Sequence, residues 1–347
     1  MSAPAVLAER IAAQGLGETR GASPVAVVNR LLAVQAQDPR GARLAIRARG
    51  DRLLAVDVDR ALDERELIIT WLNRGTLHLV RSADYPFLQL LTTPPLFSSS
   101  ARRLRQEGVS EEQAGRAMEV IECALDAAGP LTRAQLRSRL EAAGIPTGGQ
   151  ALVHLLFLAA IRGLIVRGPM LGGEHAYVLV REWLGAPRPP DRAAALAQLA
   201  RRYLVGHGPA TDRDLARWAG LPLRDARAGL EAIAAELRRR EDGLLQLAAQ
   251  APDRAPALPP PLLLGAFDPL LLGWTSREEI VGPHRLLVSD NGLFRPFALV
   301  RGRAVATWRL QRGRVAIEYL EEVPKRAAAA LGREAAAVEA FFTDPRP

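Results

Sequence analysis

Cysteine and lysine are almost missing from this sequence of 347 residues. The first shortage excludes cysteine-based sites, and the second makes arginine the main source of positive charge. The single cysteine, Cys123, cannot form a disulfide within the chain or build a cysteine-based zinc site. The only lysine is Lys325, so arginine carries nearly all of the positive charge. The five histidines are scattered, without the spacing of metal ligands. We therefore expect neither a metal centre nor a cofactor.

Long apolar runs and familiar catalytic signatures are absent as well. Hydrophobic residues make up 48% of the chain, which suits a globular protein, but charge or proline interrupts the longest apolar runs. We therefore expect no membrane span. The start of the chain lacks a basic region followed by an apolar one, so it does not read as a secretory signal. No HExxH, CxxC, GxSxG or Walker motif occurs. These absences favour a cytoplasmic protein without a membrane partner.

Positive charge is in excess, with a formal net charge of +8 and a pI of about 10.7. A GC-rich genome would produce such a bias, because its codons favour arginine, alanine, glycine and proline. The functional interpretation is a polyanionic partner, since arginine binds phosphate through two hydrogen bonds and stacks on bases. Charge alone therefore favours DNA or RNA only weakly.

Two stretches of the chain share one pattern and predict a repeated fold. The segments 128–145 and 207–223 both read Gly-Pro-apolar-Thr and continue as short helices, for which Thr132 and Thr211 are suitable N-caps. A second helix and a β-prone segment then follow in each copy. Helix, turn, helix and hairpin is the plan of a winged helix. The second helices are predicted over 149–162 and 224–240, and the clearer hairpin turns at Gly172 and Gly173.

The N-terminal third predicts another copy of this plan. A helix over 3–13 precedes a helix that starts at Ser23 and Pro24 and ends near Gln37. Strands over 67–72 and 76–80 would form its wing. A capped helix over 110–127 follows, and its apolar surroundings predict that Cys123 is buried.

The residue pattern changes from helical to strand-like after a proline-rich stretch at 251–261. Short strand-like segments follow, namely "LLLGAF", "RLLVSD", "RPFALVRG", "RAVATWRL" and "RVAIEYL", and a helix over 324–342 ends the chain. We therefore predict an α+β fold of tandem winged helices with a small C-terminal β-rich domain. The predicted domains are 1–128, 129–187, 190–252 and 258–347.

The segment "LLAVQAQDPRGAR" (31–43) places two glutamines, Gln35 and Gln37, at the end of an apolar pattern. Pro39 biases Asp38 away from helical geometry, so both amides could open toward one cleft. A carboxamide is neutral, and it both donates and accepts hydrogen bonds, so it could position a water molecule or a sugar. On the pattern alone, two surface glutamines at a helix end are the simpler interpretation.

Two further regions carry candidate polar residues. Arg74 and His78 lie beside a predicted turn at 73–75, where His78 is either a structural residue or support for a pocket. Asp268 precedes Pro269 in an apolar run, where its carboxylate either caps a turn or acts as an acid or base. Asp38 either caps the turn or adds negative charge near the two amides.

Four motifs in order along the chain resemble the winged-helix bacterial DNA glycosylases of the AlkZ type. The motifs are "LLAVQAQD", "TWLNRGTLHLV", "FDPLLLGW" and "GLFRPFALVRGRAVATWR". The resemblance implies tandem winged helices in a C-shaped clamp around double-stranded DNA. It further implies a monofunctional enzyme that removes bulky N7-alkylated purines, in some relatives from interstrand crosslinks or for antibiotic self-resistance. The family signature Gln-x-Gln, or Gln-x-Asp in a second branch, falls here on Gln35 and Gln37.

The resemblance gives the two glutamines a role as catalytic residues. N7-alkylation leaves the purine cationic and a good leaving group, so the amides would hold and orient the attacking water, with Asp38, His78 and Asp268 as possible support. We expect a monomer, because the tandem repeats already supply several binding surfaces. The expected DNA contacts are Arg40, Arg43, Arg74, Arg102, Arg103, Arg105 and Arg167, with Met170 and Leu171 as an apolar wedge at the hairpin tip.

A non-catalytic winged-helix regulator is the alternative hypothesis. Helix-turn-helix repeats without a classical pair of catalytic carboxylates also suit such a protein. A regulator predicts sequence preference and paired half-sites, whereas a glycosylase predicts sequence-tolerant binding and an abasic product. A protein that only shields damaged DNA is a third interpretation.

Overall fold

A computed structural model describes residues 3–17, 20–185, 188–252, 256–289 and 292–343. The chain divides into two compact units. The terminal unit comprises Met1–Val58 and Leu196–Pro347, and the central unit comprises Asp59–Ala195. The finer division into four domains stays a prediction. Among the described residues, no helix combines the length and the apolar character needed to cross a membrane.

Helices and strands both contribute substantially to the described residues. The helices are α1 (Ala3–Ala13), α2 (Pro24–Leu31), α3 (Pro39–Arg49), α4 (Ala55–Asp63), α5 (Tyr85–Thr92), α6 (Phe97–Gln106), α7 (Glu111–Ala128), α8 (Arg133–Ala142), α9 (Ala151–Ile161), α10 (Val180–Trp183), α11 (Arg192–His207), α12 (Asp212–Ala219), α13 (Leu223–Ala232), α14 (Pro269–Leu272), α15 (Glu278–Val281) and α16 (Lys325–Thr343). The strands are β1 (Val34–Gln35), β2 (Leu67–Leu72), β3 (Thr76–Arg81), β4 (Ile165–Leu171), β5 (Glu174–Leu179), β6 (Leu237–Arg239), β7 (Leu245–Leu247), β8 (Leu262–Leu264), β9 (Phe297–Val300), β10 (Arg303–Gln311) and β11 (Arg314–Tyr319).

The central unit contains an antiparallel sheet in the order β3-β2-β4-β5. Strands β2 and β3 pair from Leu67↔Arg81 to Leu72↔Thr76. The β4–β5 hairpin turns through Gly172 and Gly173, which both have positive φ as the sequence predicts. Helices α8 and α9 precede this hairpin in the predicted order.

The predicted helix starts are confirmed because they depend on local chemistry. Ser110, Thr132 and Thr211 each accept a hydrogen bond from the backbone amide three residues on. The residue at that position returns a bond to the backbone of the cap in every case. These capping boxes satisfy amides that a helix start otherwise leaves without a partner.

The C-terminal sheet is antiparallel throughout, in the order β11-β10-β9-β8. Trp308 packs into the core beneath it and donates its indole N–H to the Leu264 carbonyl at 2.9 Å. Helix α16 closes this core with Leu331, Val338 and Phe341. A single apolar cluster therefore holds the sheet against α16.

Three sequence predictions outside the glutamine segment are wrong. The helix predicted over 224–240 ends at Ala232, because Leu237–Arg239 pairs as a strand with Leu245–Leu247. The segment predicted as a strand at "RLLVSD" forms a short 3-10 turn at Arg285–Leu287 instead. Cys123 is exposed, since the buried face of α7 runs through Ile121 and Leu125 and leaves Cys123 on the opposite side.

Candidate active site

The two glutamines lie on an extended segment, and the prediction that a helix reaches Gln37 is wrong. Helix α2 begins as expected, with the Ser23 hydroxyl accepting the Ala26 amide, but it ends at Leu31. Leu32 then adopts φ 66° and ψ −47°, which turns the chain out of the helix and into strand β1. This conformation is costly for a residue with a side chain, so the surrounding structure must hold it in place.

Extended geometry brings the two amides together. Side chains two residues apart point to the same side of an extended chain, whereas on a helix they diverge. The Gln35 amide donates to the Gln37 carbonyl oxygen, with 2.6 Å between Nε2 and Oε1. Gln35 is buried and Gln37 is exposed, so the pair bridges the interior and the surface. Within the described residues neither side chain makes a further hydrogen bond, and Gln35 Oε1 and Gln37 Nε2 remain for a ligand.

Asp38 is the N-cap of α3. Its Oδ1 accepts hydrogen bonds from the amides of Arg40 at 2.9 Å and Gly41 at 3.2 Å. Pro39 follows at the first helical position, where a missing N–H costs nothing. The capping role considered for Asp38 is therefore confirmed, and α3 starts directly after the glutamine pair.

The start of α3 lies against the segment that joins β8 to α14. A side chain at Gly41 would collide with the carbonyl of Ala266, and one at Gly265 would meet the Cα of Gly41 at 2.9 Å. The two backbones therefore touch without side chains between them. Such close approach requires glycine at both positions.

Asp268 anchors the other end of this segment. It caps α14 by accepting the Leu270 amide, and both of its oxygens accept from Arg49 of α3, at 2.7 and 2.9 Å. Arg49 also donates to Gln14 at 2.8 Å, and Gln14 donates to the Pro269 carbonyl. The three side chains are buried. With its oxygens occupied, Asp268 is a structural support for α3.

Comparison with known proteins decides the family. Residues 28–341 match the family of AlkZ-like DNA glycosylases. The chain belongs to this family. It is 29% identical to an interstrand DNA cross-link repair glycosylase of Streptomyces sahachiroi, over 96% of this chain and 94% of that protein. The solved structure of the DNA glycosylase AlkZ from the same organism is similar with a TM-score of 0.77, at 27% identity, over 98% of this chain and 96% of the other.

Membership of the AlkZ-like family makes the chain a DNA glycosylase, an enzyme of DNA repair. The regulator hypothesis loses its basis, since it required a protein without catalysis. The family match also includes the Gln-x-Gln segment, which lies within the matched residues 28–341.

His78 of this glycosylase lies in the central unit, on β3 opposite Thr70. Its Nδ1 is 2.9 Å from the Thr76 carbonyl oxygen. Burial, and after it the positive charge of Arg74, lowers the pKa of His78 from its usual 6.5 to about 3. The imidazole is therefore neutral at physiological pH and cannot supply a proton to a leaving group.

The candidate DNA-binding arginines fall into two groups. Arg40, Arg74, Arg102, Arg103 and Arg105 are exposed, the last three on α6. Arg43 is buried and donates to the Pro39 carbonyl at 3.0 Å. Arg167 packs between the rings of Trp71 and Tyr177, with its guanidinium 4.8 and 5.0 Å from their centres. Arg43 and Arg167 therefore support the fold around them.

The hairpin tip of the central unit carries the proposed wedge. The Met170 amide donates to Asp63 at 3.3 Å, which ties the tip to the end of α4. Met170 is half-buried, whereas Leu171 is exposed. The tip is thus held in place while Leu171 faces outward, and its role as a wedge stays a prediction.

Sequence reasoning missed the residues that support the glutamines. Gln14, Gly41 and Arg49 carry no motif of their own, and they meet Asp268 and Ala266 from distant parts of the chain. The one signal in the sequence is the position of Arg49, which ends an otherwise apolar face of α3. An arginine on such a face requires an acidic partner.

Proposed function

We propose that this glycosylase hydrolyses the N-glycosidic bond of bulky N7-alkylated purines in double-stranded DNA, including purines joined in interstrand crosslinks. The observation that carries this proposal is the neutral amide pair Gln35–Gln37, hydrogen-bonded at 2.6 Å at the start of α3. The relative from Streptomyces sahachiroi is described as an interstrand DNA cross-link repair glycosylase, which supports the substrate class.

The chemistry of such a substrate matches an uncharged site. An N7-alkylated purine carries a positive charge, so it leaves as a neutral base when the bond between C1′ and N9 breaks and its electron pair stays on N9. The sugar then develops oxocarbenium character. A strong general acid is unnecessary, and the enzyme has to place a water and accommodate the cationic sugar with fixed dipoles.

The mutual hydrogen bond of the glutamines restricts both amides before substrate binds. In this arrangement Gln35 Oε1 accepts a hydrogen bond from the attacking water, and Gln37 Nε2 donates to the sugar-phosphate backbone. The water oxygen forms the new bond to C1′ and its proton passes to solvent. Asp38 adds negative charge beside the pair, which favours the cationic sugar, although its Oδ1 is occupied by the helix start.

Contact with the DNA backbone is assigned to the exposed arginines, above all Arg102, Arg103 and Arg105 of α6. The carboxylate of Glu107, directly after α6, accepts the Gln150 amide at 2.9 Å and so fixes the end of this helix to the start of α9. A helix that is already fixed needs no ordering of its backbone when its arginines bind phosphate, although each arginine side chain still loses conformational freedom. We propose that the enzyme binds DNA as a monomer.

The test is excision from a duplex with one N7-alkylguanine, followed by mild alkali and detection of strand cleavage at that base. We expect Gln35→Ala and Gln37→Ala each to lower the single-turnover rate about 100-fold or more, the usual effect of losing one preorganised dipole. The melting temperature should be unchanged for both variants. DNA affinity should be unchanged for Gln35→Ala, and for Gln37→Ala it should fall far less than the excision rate, because only one contact to the DNA backbone is lost. Gln250→Ala, which removes an exposed glutamine elsewhere in the terminal unit, is the matched control.

Two results would contradict the proposal. If both glutamine variants excise the base at the rate of the parent enzyme, the pair is not the catalytic site. If they lose activity only in proportion to lost folded protein, the pair is structural. A lane without enzyme corrects for spontaneous depurination.

A further inference from the structure

Two apolar residues of the terminal unit are held in the left-handed backbone region. Seven described non-glycine residues have positive φ, and five of them are arginines. The remaining two are Leu32 and Phe267, with φ of 66° and 57°. Leu32 lies three residues before Gln35, where it turns the chain toward the glutamine pair. Strained backbone conformations cluster at functional sites, so the positive φ of Phe267 makes this residue a candidate for a functional role.

Phe267 lies beside the start of α3. Its neighbour Ala266 touches Gly41, whose amide is bonded to Asp38 directly after the glutamine pair. The next residue on the other side, Asp268, is fixed to Arg49. Consecutive Cα atoms are about 3.8 Å apart, so Phe267 lies within roughly two residue lengths of the first turn of α3. Both flanking residues are immobilised, and the ring of Phe267 is only half-buried.

A second aromatic ring supports Phe267. The ring of Phe294 has its centre 5.7 Å from that of Phe267, at an angle of 48°. The guanidinium of Arg277 lies 5.1 Å from the centre of the Phe294 ring. The neighbouring Leu293 and nearby Leu286 are the two most exposed large apolar side chains described, at 59% and 62%. An exposed apolar side chain, that of Leu293, therefore directly precedes Phe294 in a strongly basic protein.

The aromatic rings of Phe267 and Phe294 suit a substrate that is both bulky and cationic. A bulky N7 adduct adds an apolar or aromatic group to a cationic purine, and an aromatic ring face attracts both. Water excludes such a group, so a half-buried ring beside the scissile bond would be its natural contact. We propose that Phe267 packs against the apolar part of the adduct and selects bulky N7 adducts over N7-methyl, with Phe294 holding its ring in position. This inference rests on the proposed function.

The experiment compares two duplexes, one with N7-methylguanine and one with N7-(naphthylmethyl)guanine, under single-turnover conditions. We expect Phe267→Ala to lower the ratio of excision rate to DNA dissociation constant about tenfold or more for the naphthylmethyl duplex, the size of one aromatic stack on a base. For the methyl duplex the same ratio should stay within about twofold, which is far below one such stack. Tyr319→Ala, at an exposed aromatic of β11, is the matched control and should change neither.

The variant Phe267→Gly distinguishes the effect of losing the aromatic ring from the effect of backbone strain. Phe267→Gly removes the penalty of positive φ, so it should melt at a higher temperature than Phe267→Ala. Its loss on the naphthylmethyl duplex should nevertheless equal that of the alanine variant. Phe267→Tyr keeps a ring and should restore excision of the bulky adduct. Greater activity of the glycine variant than of the alanine variant would overturn the proposal, because strain would then explain the loss.

The remaining outcomes are also decisive. An equal loss on both duplexes would make Phe267 a structural residue, and no loss on either would show that Phe267 does not touch the substrate. Failure of the proposed function would look different. In that case Gln37→Ala would retain the activity of the parent enzyme on both duplexes, whatever happens at position 267.

Discussion

Arg49 and Asp268 are 219 residues apart in the chain and form a buried ion pair with two hydrogen bonds, at 2.7 and 2.9 Å. The pair joins the last turn of α3 to the cap of α14. Because α3 begins directly after the candidate catalytic glutamines, this ion pair fixes the helix on which their position depends. Asp268 neutralises the charge of Arg49, which would strongly destabilise the folded protein if it were buried without a partner.

Asp268→Asn should therefore destabilise the protein strongly. The variant keeps a side chain that can cap α14, but it leaves the Arg49 cation buried without a counter-charge. We expect a loss of about 3–5 kcal/mol in the free energy of unfolding, the usual cost of breaking a buried pair. Urea denaturation followed by circular dichroism measures it. Glu334→Gln, which weakens the less buried pair with Arg47, is the control and should cost less.

The double substitution Arg49→Met with Asp268→Leu completes this test. Removing both charges together avoids the unpaired cation, so most of the lost stability should return. A single variant as stable as the parent protein would show that Arg49 has another way to compensate its charge.

The excision rate should stay constant as the pH falls from 7 to 5. Carboxamides do not titrate in this range, and His78 stays neutral because burial holds its pKa at about 3. An enzyme that used a histidine base would lose activity with a midpoint near 6. Single-turnover rates corrected for spontaneous depurination distinguish the two. A sigmoidal fall across this range would rule out a purely amide-based site.

Stability, in contrast to rate, should depend on pH through His207. This histidine is fully buried, and burial lowers its pKa from 6.5 to about 3. Between these two values the unfolded chain binds a proton that the folded chain rejects, so stability is full above pH 6.5 and falls toward pH 3. Each such histidine contributes at most about 1.4 kcal/mol per pH unit.

His207→Phe should flatten that dependence. A phenyl ring can keep the stack on Tyr203, whose ring lies 4.8 Å away, and the backbone carbonyl that accepts from Trp274 is unaffected. Urea midpoints measured between pH 7 and pH 4 should show a smaller slope for the variant. An unchanged slope would assign the pH dependence to other groups.

Loss of charge on α6 should weaken DNA binding without regard to sequence. Alanine at Arg102, Arg103 and Arg105 removes three exposed cations. We expect the slope of log K against log salt to fall by about 0.9 for each phosphate that the variant no longer neutralises. Arg181→Ala is the control in the same unit, since Arg181 is already paired with Glu122 and Asp126. Equal slopes for the triple variant and the parent would place the DNA backbone elsewhere.

The enzyme should leave an intact abasic site. Strand cleavage by a lyase proceeds through a Schiff base, which requires an amine near C1′. The only lysine, Lys325, is exposed at the start of α16, and among the described residues it makes no hydrogen bond to the glutamine pair. Borohydride added during the reaction should therefore trap no covalent complex with the parent enzyme. A trapped complex that disappears in Lys325→Arg would overturn this expectation.

Local chemistry explains which structural predictions succeeded. Thr132 and Thr211 cap helices because their hydroxyls reach an amide three residues away, and nothing distant interferes. The end of α2 was not predictable in this way. Leu32 takes a left-handed conformation that its own side chain disfavours, and only the tertiary structure can impose it. The approach of the two glutamines depends on that turn.

The surroundings of several arginine side chains could not be predicted from the sequence either. Arg43 and Arg167 look like surface cations on their own elements, but the first bonds to a backbone carbonyl and the second lies between two aromatic rings. The acidic partner of Arg49 lies 219 residues away, too far for any helical or strand period to reveal. The family resemblance identified the glutamines, whereas their support became visible only in three dimensions.

The close approach of Gly41 to the 265–266 backbone limits how this enzyme could be redesigned. No side chain fits at Gly41 or Gly265, so a mutagenesis library that varies these positions would consist almost entirely of misassembled proteins. Phe267, one peptide bond beyond that approach, has a half-buried side chain, so we expect substitutions there to disturb the fold far less. Laboratory evolution toward new adducts should therefore keep both glycines fixed and randomise the aromatic position beside them.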